Sequence, residues 1–183
     1  EGHGQSSGEF KNGTIGTWLG NALHIIDTLT TGPLLLISSS MGGWIGLHVA
    51  QLRPDRVMGF IGIAAAPDFT NWVWNNEMTI DQQLLCTQQG YITTPDGDIF
   101  THKLFLDGAQ HSIFDKPLKL NCPVTLLHGK QDDVVPYAVA QQLAKHLTNP
   151  QPPKLILIDD GDHRLARPSD LEILFHEIEH ILK

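Results

Sequence analysis

Short apolar runs alternate with amphipathic stretches along this chain. Four runs read as buried strands, at residues 34–38, 57–64, 124–128 and 154–158. Helical patterns lie between and around them. Thr14 is placed to cap a helix through about Leu29, with Ile15, Trp18, Leu19, Ala22, Leu23 and Ile26 on its apolar side. Residues 41–52 and 138–147 read as helices, and 169–182 as a closing amphipathic helix with Leu171, Leu174, Phe175, Ile178, Ile181 and Leu182 facing inward. Apolar strands alternating with helices predict a mostly parallel sheet covered on both faces, an α/β architecture.

Residues 67–120 break that rhythm. They hold Trp72, Trp74, Met78, Leu84, Leu85 and Tyr91, then Pro95-Asp96-Gly97, a turn signal between two short β-like runs. This stretch is expected to be a cap or lid insertion. It divides the chain into a first part of the core (1–66), the cap (67–120) and a second part of the core (121–183). Residues 1–13 are rich in Gly, Ser and Asn and read as loop. The chain opens Glu1-Gly2-His3-Gly4-Gln5, with no Met and no strand ahead of it. A longer parent protein with further N-terminal strands is therefore expected, and no targeting segment can be read.

Length and charge narrow the classes. The 183 residues, 41% of them hydrophobic, fit one packed domain. Lys plus Arg number 12 against 20 for Asp plus Glu, a net charge of −8 with no basic run, which argues against a nucleic-acid partner. Cys86 and Cys122 are the only cysteines, too few for a disulfide framework, so a reducing compartment is the simpler expectation. No apolar run approaches the ~18 residues of a membrane span.

The densest chemical signal is residues 34–43. An apolar strand runs into Ser38-Ser39-Ser40-Met41-Gly42-Gly43, and a helical pattern containing Trp44, Leu47 and Val49 follows at once. Strand, tight turn of small residues around a serine, then helix is the build of a nucleophile elbow, which lifts one hydroxyl above the end of a parallel sheet. The strained serine backbone needs small neighbours. Ser38 and Gly42, two residues either side, meet that need, although Ser38 stands where G-x-S-x-G has glycine. Ser40 is thus the candidate nucleophile.

A serine hydroxyl attacks well only when a base takes its proton and a third group orients that base. In this architecture acid and histidine follow the serine in that order, each after a strand. The strand at 124–128 runs into His128-Gly129-Lys130-Gln131-Asp132-Asp133, and that at 154–158 into Asp159-Asp160-Gly161-Asp162-His163. Asp132 is the candidate acid, with Asp133 its rival, and His163 the candidate base. One oxyanion donor is expected from the Met41 N–H. The other normally comes from a loop after an earlier strand, which this chain does not contain. Losing one donor costs on the order of 10²–10³ in turnover, so the isolated chain is expected to be nearly inactive.

Other patterns compete. Gly4-Gln5-Ser6-Ser7-Gly8 matches G-x-S-x-G to the letter, but no strand precedes it and no convincing helix follows. His176-Glu177-Ile178-Glu179-His180 matches the zinc motif H-E-x-x-H, but it lies on the polar side of the last helix with no third ligand after it. No metal site is assigned. His48 and His128 read as buried structural histidines. Trp72, Trp74 and Met78 either line an acyl pocket or only seat the cap.

Taken together, the sequence resembles the α/β-hydrolase superfamily. Gly2-His3-Gly4-x-Ser6, Gly13-Thr14-Ile15-Gly16-x-Trp18, Ser39-Ser40-Met41-Gly42-Gly43-Trp44, Asn121-Cys122-Pro123-Val124, Leu127-His128-Gly129-x-x-Asp132-Asp133-x-Val135-Pro136 and Asp162-His163-Arg164 are similar to one branch of mitochondrial acyl-protein thioesterases and their bacterial relatives. The resemblance covers nearly the whole chain. Matched position by position, it implies Ser40, Asp132 and His163 as the triad. It also implies an earlier strand beside residues 34–37; without it these would form an exposed apolar sheet edge prone to aggregation.

The resulting expectation is a serine hydrolase acting on a small-molecule or acyl-protein ester or thioester, with no cofactor. It would work in a bacterial-type cytoplasm or a mitochondrion. The alternative is a non-catalytic binding protein or inactive fragment of the same fold.

Overall fold

The computed structural model describes residues 1–94 and 97–183. Cα packing separates two units, Glu1–Leu29 with Asp68–Ser112, and Thr30–Pro67 with Ile113–Lys183.

The second unit is built on a four-stranded sheet, β1 (Leu34–Ser39), β2 (Val57–Ile63), β5 (Val124–Gly129) and β6 (Lys154–Ile158), in the order β1-β2-β5-β6 with every pairing parallel. Helices α2 (Met41–Leu52), α6 (Tyr137–His146) and α7 (Pro168–Ile181) connect or close it. This is the expected mostly parallel α/β arrangement, with element bounds within a residue or two of the periodicity. Neighbouring side chains on a strand take opposite faces. Leu35, Ile61, Ile63, Leu127, Ile156 and Ile158 gather with Ile173, Leu174, Ile178 and Ile181 of α7. Phe60, of the opposite parity, lies against α2, where a Cβ on Gly46 would come within 2.9 Å of its ring. Both faces of the sheet are therefore covered. β1 is an edge strand; Leu34–Leu36 are half-buried and Ile37 is exposed.

The last helix departs from its predicted face. Phe175 and Leu182 are 58% and 57% exposed. The inward stripe is narrower, with Leu174, Ile178 and Ile181 on the sheet, and Phe175 falls outside that arc. Glu177, read as polar surface, is buried. Its carboxylate meets Lys154 Nζ at 2.6 Å and Thr125 Oγ1 at 3.4 Å. Thr125 and Lys154 are register partners on β5 and β6, so one carboxylate ties α7 across the strand pair. His176 and His180 are exposed.

In the first unit α1 (Ile15–Leu29) buries Ile15, Trp18 and Leu19. Its free N-terminal donors are met by the Thr14 hydroxyl, which accepts from Thr17 N–H at 3.2 Å, and by Asp107 Oδ2, which accepts from Gly16 N–H at 2.8 Å. Residues 68–112 form α3 (Phe69–Trp72), a π-helical turn (Val73–Glu77), α4 (Ile80–Gln89), the antiparallel pair β3 (Tyr91–Thr93) and β4 (Ile99–Thr101), and α5 (His102–Gln110). The β3 and β4 pairing realises the two short β-like runs. Pro95 and Asp96 of the predicted turn lie outside the described residues.

Candidate active site

Ser40 sits between the last residue of β1 and the first of α2, with φ 52° and ψ −125°. A side-chain-bearing residue held there stores roughly 1–3 kcal/mol of strain. Three backbone hydrogen bonds hold it. Ser40 N–H donates to Ile63 O at 2.9 Å, and Ser40 O accepts from Gly43 N–H at 2.8 Å and Ala66 N–H at 3.1 Å. The end of β2, the residues just after it and the first turn of α2 together clamp the serine.

The crowding that sets the small residues lies elsewhere than the motif indicates. A Cβ on Gly42 would meet nothing within 4 Å. On Gly43 it would fall 2.5 Å from Ala65 Cβ, and on Gly46 2.4 Å from Ser38 Oγ. The tight approaches belong to the first turns of α2, where the helix crosses its own strand and the loop after β2. Ser38 faces Gly46, so the hydroxymethyl at the motif's first-glycine position is accommodated by a glycine six residues beyond the serine.

The loops after β5 and β6 are stitched together. Gln131 N–H donates to Gly161 O at 2.9 Å and Lys130 N–H to Ile158 O at 2.8 Å. A Cβ on Gly129 would stand 2.1 Å from Gly161 O, so only glycine lets the loops approach this closely. Asp162 Oδ1 accepts from the backbone N–H groups of Arg164 and Leu165 at 3.0 and 2.9 Å, turning the chain around His163. Arg167 then anchors this loop to α7. Its guanidinium reaches both Asp160 oxygens at 2.6 and 3.0 Å and Asp170 at 2.8–2.9 Å, holding both carboxyls below the usual carboxylate range.

These elements bring three of the predicted residues into one hydrogen-bonded chain. His163 Nε2 lies 3.1 Å from Ser40 Oγ, and His163 Nδ1 lies 2.8 Å from Asp132 Oδ2. Asp132 Oδ1 accepts from Val134 N–H at 2.9 Å and Val135 N–H at 2.8 Å. The Asp132 side chain is fully buried, whereas that of His163 is 21% exposed. Asp133 is exposed. Met41 opens α2 and is half-buried.

His128, expected to be an ordinary buried histidine, touches this chain. Its Nε2 lies 2.8 Å from Val135 O and 3.1 Å from Asp132 Oδ2, while its Nδ1 is buried without a partner. Burial pushes its basicity down, against the opposing pull of Val135 O and Asp132. The signal available in the sequence was its place near the end of β5, four residues before Asp132.

The other predicted residues lie in the first unit. Trp72, Trp74 and Met78 pack on the cluster of Val73, Cys86, Ile92 and Phe105. Trp74 also lines a cavity of about 210 Å³ with Thr70, Phe105 and Ala109. Ser6 is exposed in a turn closed by its N–H to His3 O.

No family model matches the chain. Its doubly covered parallel sheet, and its likeness over its whole length to solved hydrolases of this fold, show that it belongs to the α/β-hydrolase family. Mouse alpha/beta hydrolase domain-containing protein 10 is 31% identical with a TM-score of 0.90, and the match spans 100% of this chain and 74% of that one. A crystal structure from Agrobacterium vitis S4 gives 35% identity and a TM-score of 0.93, with the same coverage. The human mitochondrial palmitoyl-protein thioesterase ABHD10 is 33% identical over 99% of this chain. The chain spans about 60% of the length of that curated relative.

Proposed function

We propose that this chain carries the reacting centre of a serine hydrolase that cleaves carboxylic esters or thioesters through an acyl-enzyme. The observation that carries the reading is the run of hydrogen bonds from Ser40 Oγ through His163 to Asp132, at 3.1 and 2.8 Å. In the proposed sequence His163 Nε2 takes the Ser40 proton as Oγ attacks the acyl carbon. The imidazolium so formed keeps its Nδ1–H on Asp132 Oδ2, which stabilises the charge and fixes the ring. The Met41 N–H, at the head of α2, is the donor for the oxyanion. His163 returns its proton to the departing alcohol or thiol. Water, deprotonated by the same nitrogen, then frees the acid.

Two further readings go with it. Residues 67–120, inserted in sequence between β2 and β5, are read as the cap that selects the acyl group, with Trp72, Trp74 and Met78 as its apolar lining. The thioesterase name of the mitochondrial relatives makes acyl-protein thioesters the first substrates to try and a mitochondrion the first compartment to examine.

The test is labelling of the complete protein by a fluorophosphonate probe. Stoichiometric labelling that disappears in Ser40→Ala is expected. Labelling that survives the substitution moves the nucleophile elsewhere, and a complete protein that neither labels nor turns over acyl esters is a binding protein on the same fold.

A further inference from the structure

Two imidazoles share one carboxylate oxygen. Asp132 Oδ2 is 2.8 Å from His163 Nδ1 and 3.1 Å from His128 Nε2. Their surroundings give them different work. His163 is 21% exposed and reaches Ser40, whereas His128 is completely buried.

The partners of His128 fix its protonation. Val135 O, 2.8 Å from Nε2, is an acceptor only, so Nε2 carries the hydrogen. That N–H is aimed at Val135 O, and Asp132 Oδ2 lies beside it at 3.1 Å as the second, longer contact. Nδ1 has no acceptor and no access to water, so a proton there would create a buried cation with an unanswered N–H. The charged or titratable groups facing the ring are Asp132 and His163. The neighbouring carboxylate favours the cation and burial opposes it; burial prevails. His128 is therefore a neutral donor of fixed tautomer.

We infer that His128 is a positioning residue of the proposed hydrolytic centre, its Nε2–H, fixed by Val135 O, turned also toward Asp132 Oδ2 so that the carboxylate is held, and its charge partly spent, by a second donor besides His163. The inference rests on the serine-hydrolase reading. Asp132 then has donors at both oxygens: two backbone N–H groups on Oδ1 at 2.9 and 2.8 Å, and the two histidine nitrogens at Oδ2, 2.8 and 3.1 Å away. Because that side chain is sealed from solvent, water cannot replace a missing donor. Removing the His128 N–H frees the carboxylate to turn and concentrates its charge on the His163 bond. His163 then holds its proton to higher pH and releases it less readily to the leaving group.

The experiment compares His128→Leu, which keeps bulk and loses the donor, with His128→Gln, whose amide N–H reaches about as far as Nε2. Both are made in the complete protein and assayed on a p-nitrophenyl acyl ester, with active sites counted by fluorophosphonate. In His128→Leu kcat should fall roughly 10- to 100-fold with KM little changed. The acidic limb of its kcat/KM profile should move to higher pH, and His128→Gln should recover most of both. Wild-type kcat and an unmoved limb in His128→Leu, or equal loss in both variants with the limb unmoved, overturns the inference. Nitrogen NMR of histidine-labelled wild-type protein decides even if the variants do not fold. His128 should stay neutral with its hydrogen on Nε2 from about pH 5 to 9, and titration in that range or a hydrogen on Nδ1 overturns it. Turnover surviving in Ser40→Ala overturns the serine reading and this inference together. A dead Ser40→Ala beside an unaffected His128→Leu overturns this inference alone.

Discussion

Asp132 holds His163 from a buried position, Oδ2 to Nδ1 at 2.8 Å, while the adjacent Asp133 points to solvent. The two backbone N–H groups on Asp132 Oδ1 close a tight turn around the carboxylate, and that turn carries Asp133 outward. Asp132→Asn in the complete protein should lower kcat/KM by about 10⁴, because the amide favours the wrong imidazole tautomer. Asp133→Asn should stay within about threefold of wild type. Steady-state hydrolysis of one acyl ester measures both; comparable losses in the two variants contradict the assignment.

Ser40 and His163 act as a unit if the proposed chemistry is right. Each alanine variant alone should lose roughly 10⁴–10⁶ in kcat, and the double variant should lose little more. Turnover normalised to folded protein by circular dichroism checks this. Multiplying losses would mean that the two side chains act independently.

The small residues after Ser40 separate into crowded and uncrowded. Gly46→Ala forces a methyl to within 2.4 Å of Ser38 Oγ and 2.9 Å of Phe60, and should cost about 1–3 kcal/mol. Gly42→Ala meets nothing within 4 Å on a helix, and should be neutral or stabilise by up to about 1 kcal/mol. Urea denaturation orders the two; equal effects would show that the packing around α2 yields easily.

Stability should fall in mild acid. Burial lowers the basicity of His128 in the folded state, so the unfolded chain binds the extra proton first. Its contribution is complete above the ordinary histidine value of about 6.5 and is lost as pH drops below it, by at most about 1.4 kcal/mol per pH unit. The midpoint of urea unfolding followed from pH 8 to 5 checks the sign. His128→Leu should flatten that slope.

Glu177 and Lys154 form a one-sided pair, with the glutamate side chain 2% and the lysine side chain 50% exposed. Lys154→Met strands the buried charge and should cost about 1–3 kcal/mol, below the figure for a fully sealed pair because water still reaches the site of the ammonium. Adding Glu177→Leu should recover much of that loss in the same unfolding assay.

The residues themselves determined the layering, the element bounds and the chain order of the candidates Ser40, Asp132 and His163. Periodicity and apolar runs are local, and strand–turn–helix around Ser40 is written in adjacent residues. Asp132 could be preferred over Asp133, but only folding separated them, by burying one and exposing the other. Folding also decided what depends on approach across the sequence. Gly43 and Gly46 rather than Gly42 carry the crowding at the start of α2, since that crowding comes from Ala65, Phe60 and Ser38. Phe175 faces outward and Glu177 inward, since Lys154 and Thr125 await a carboxylate beneath α7. His128 reads along the chain as one more buried histidine. Its place on Asp132 exists because the turn after β5 folds Asp132 back onto the end of that strand, a contact that the four-residue spacing permits and only folding decides.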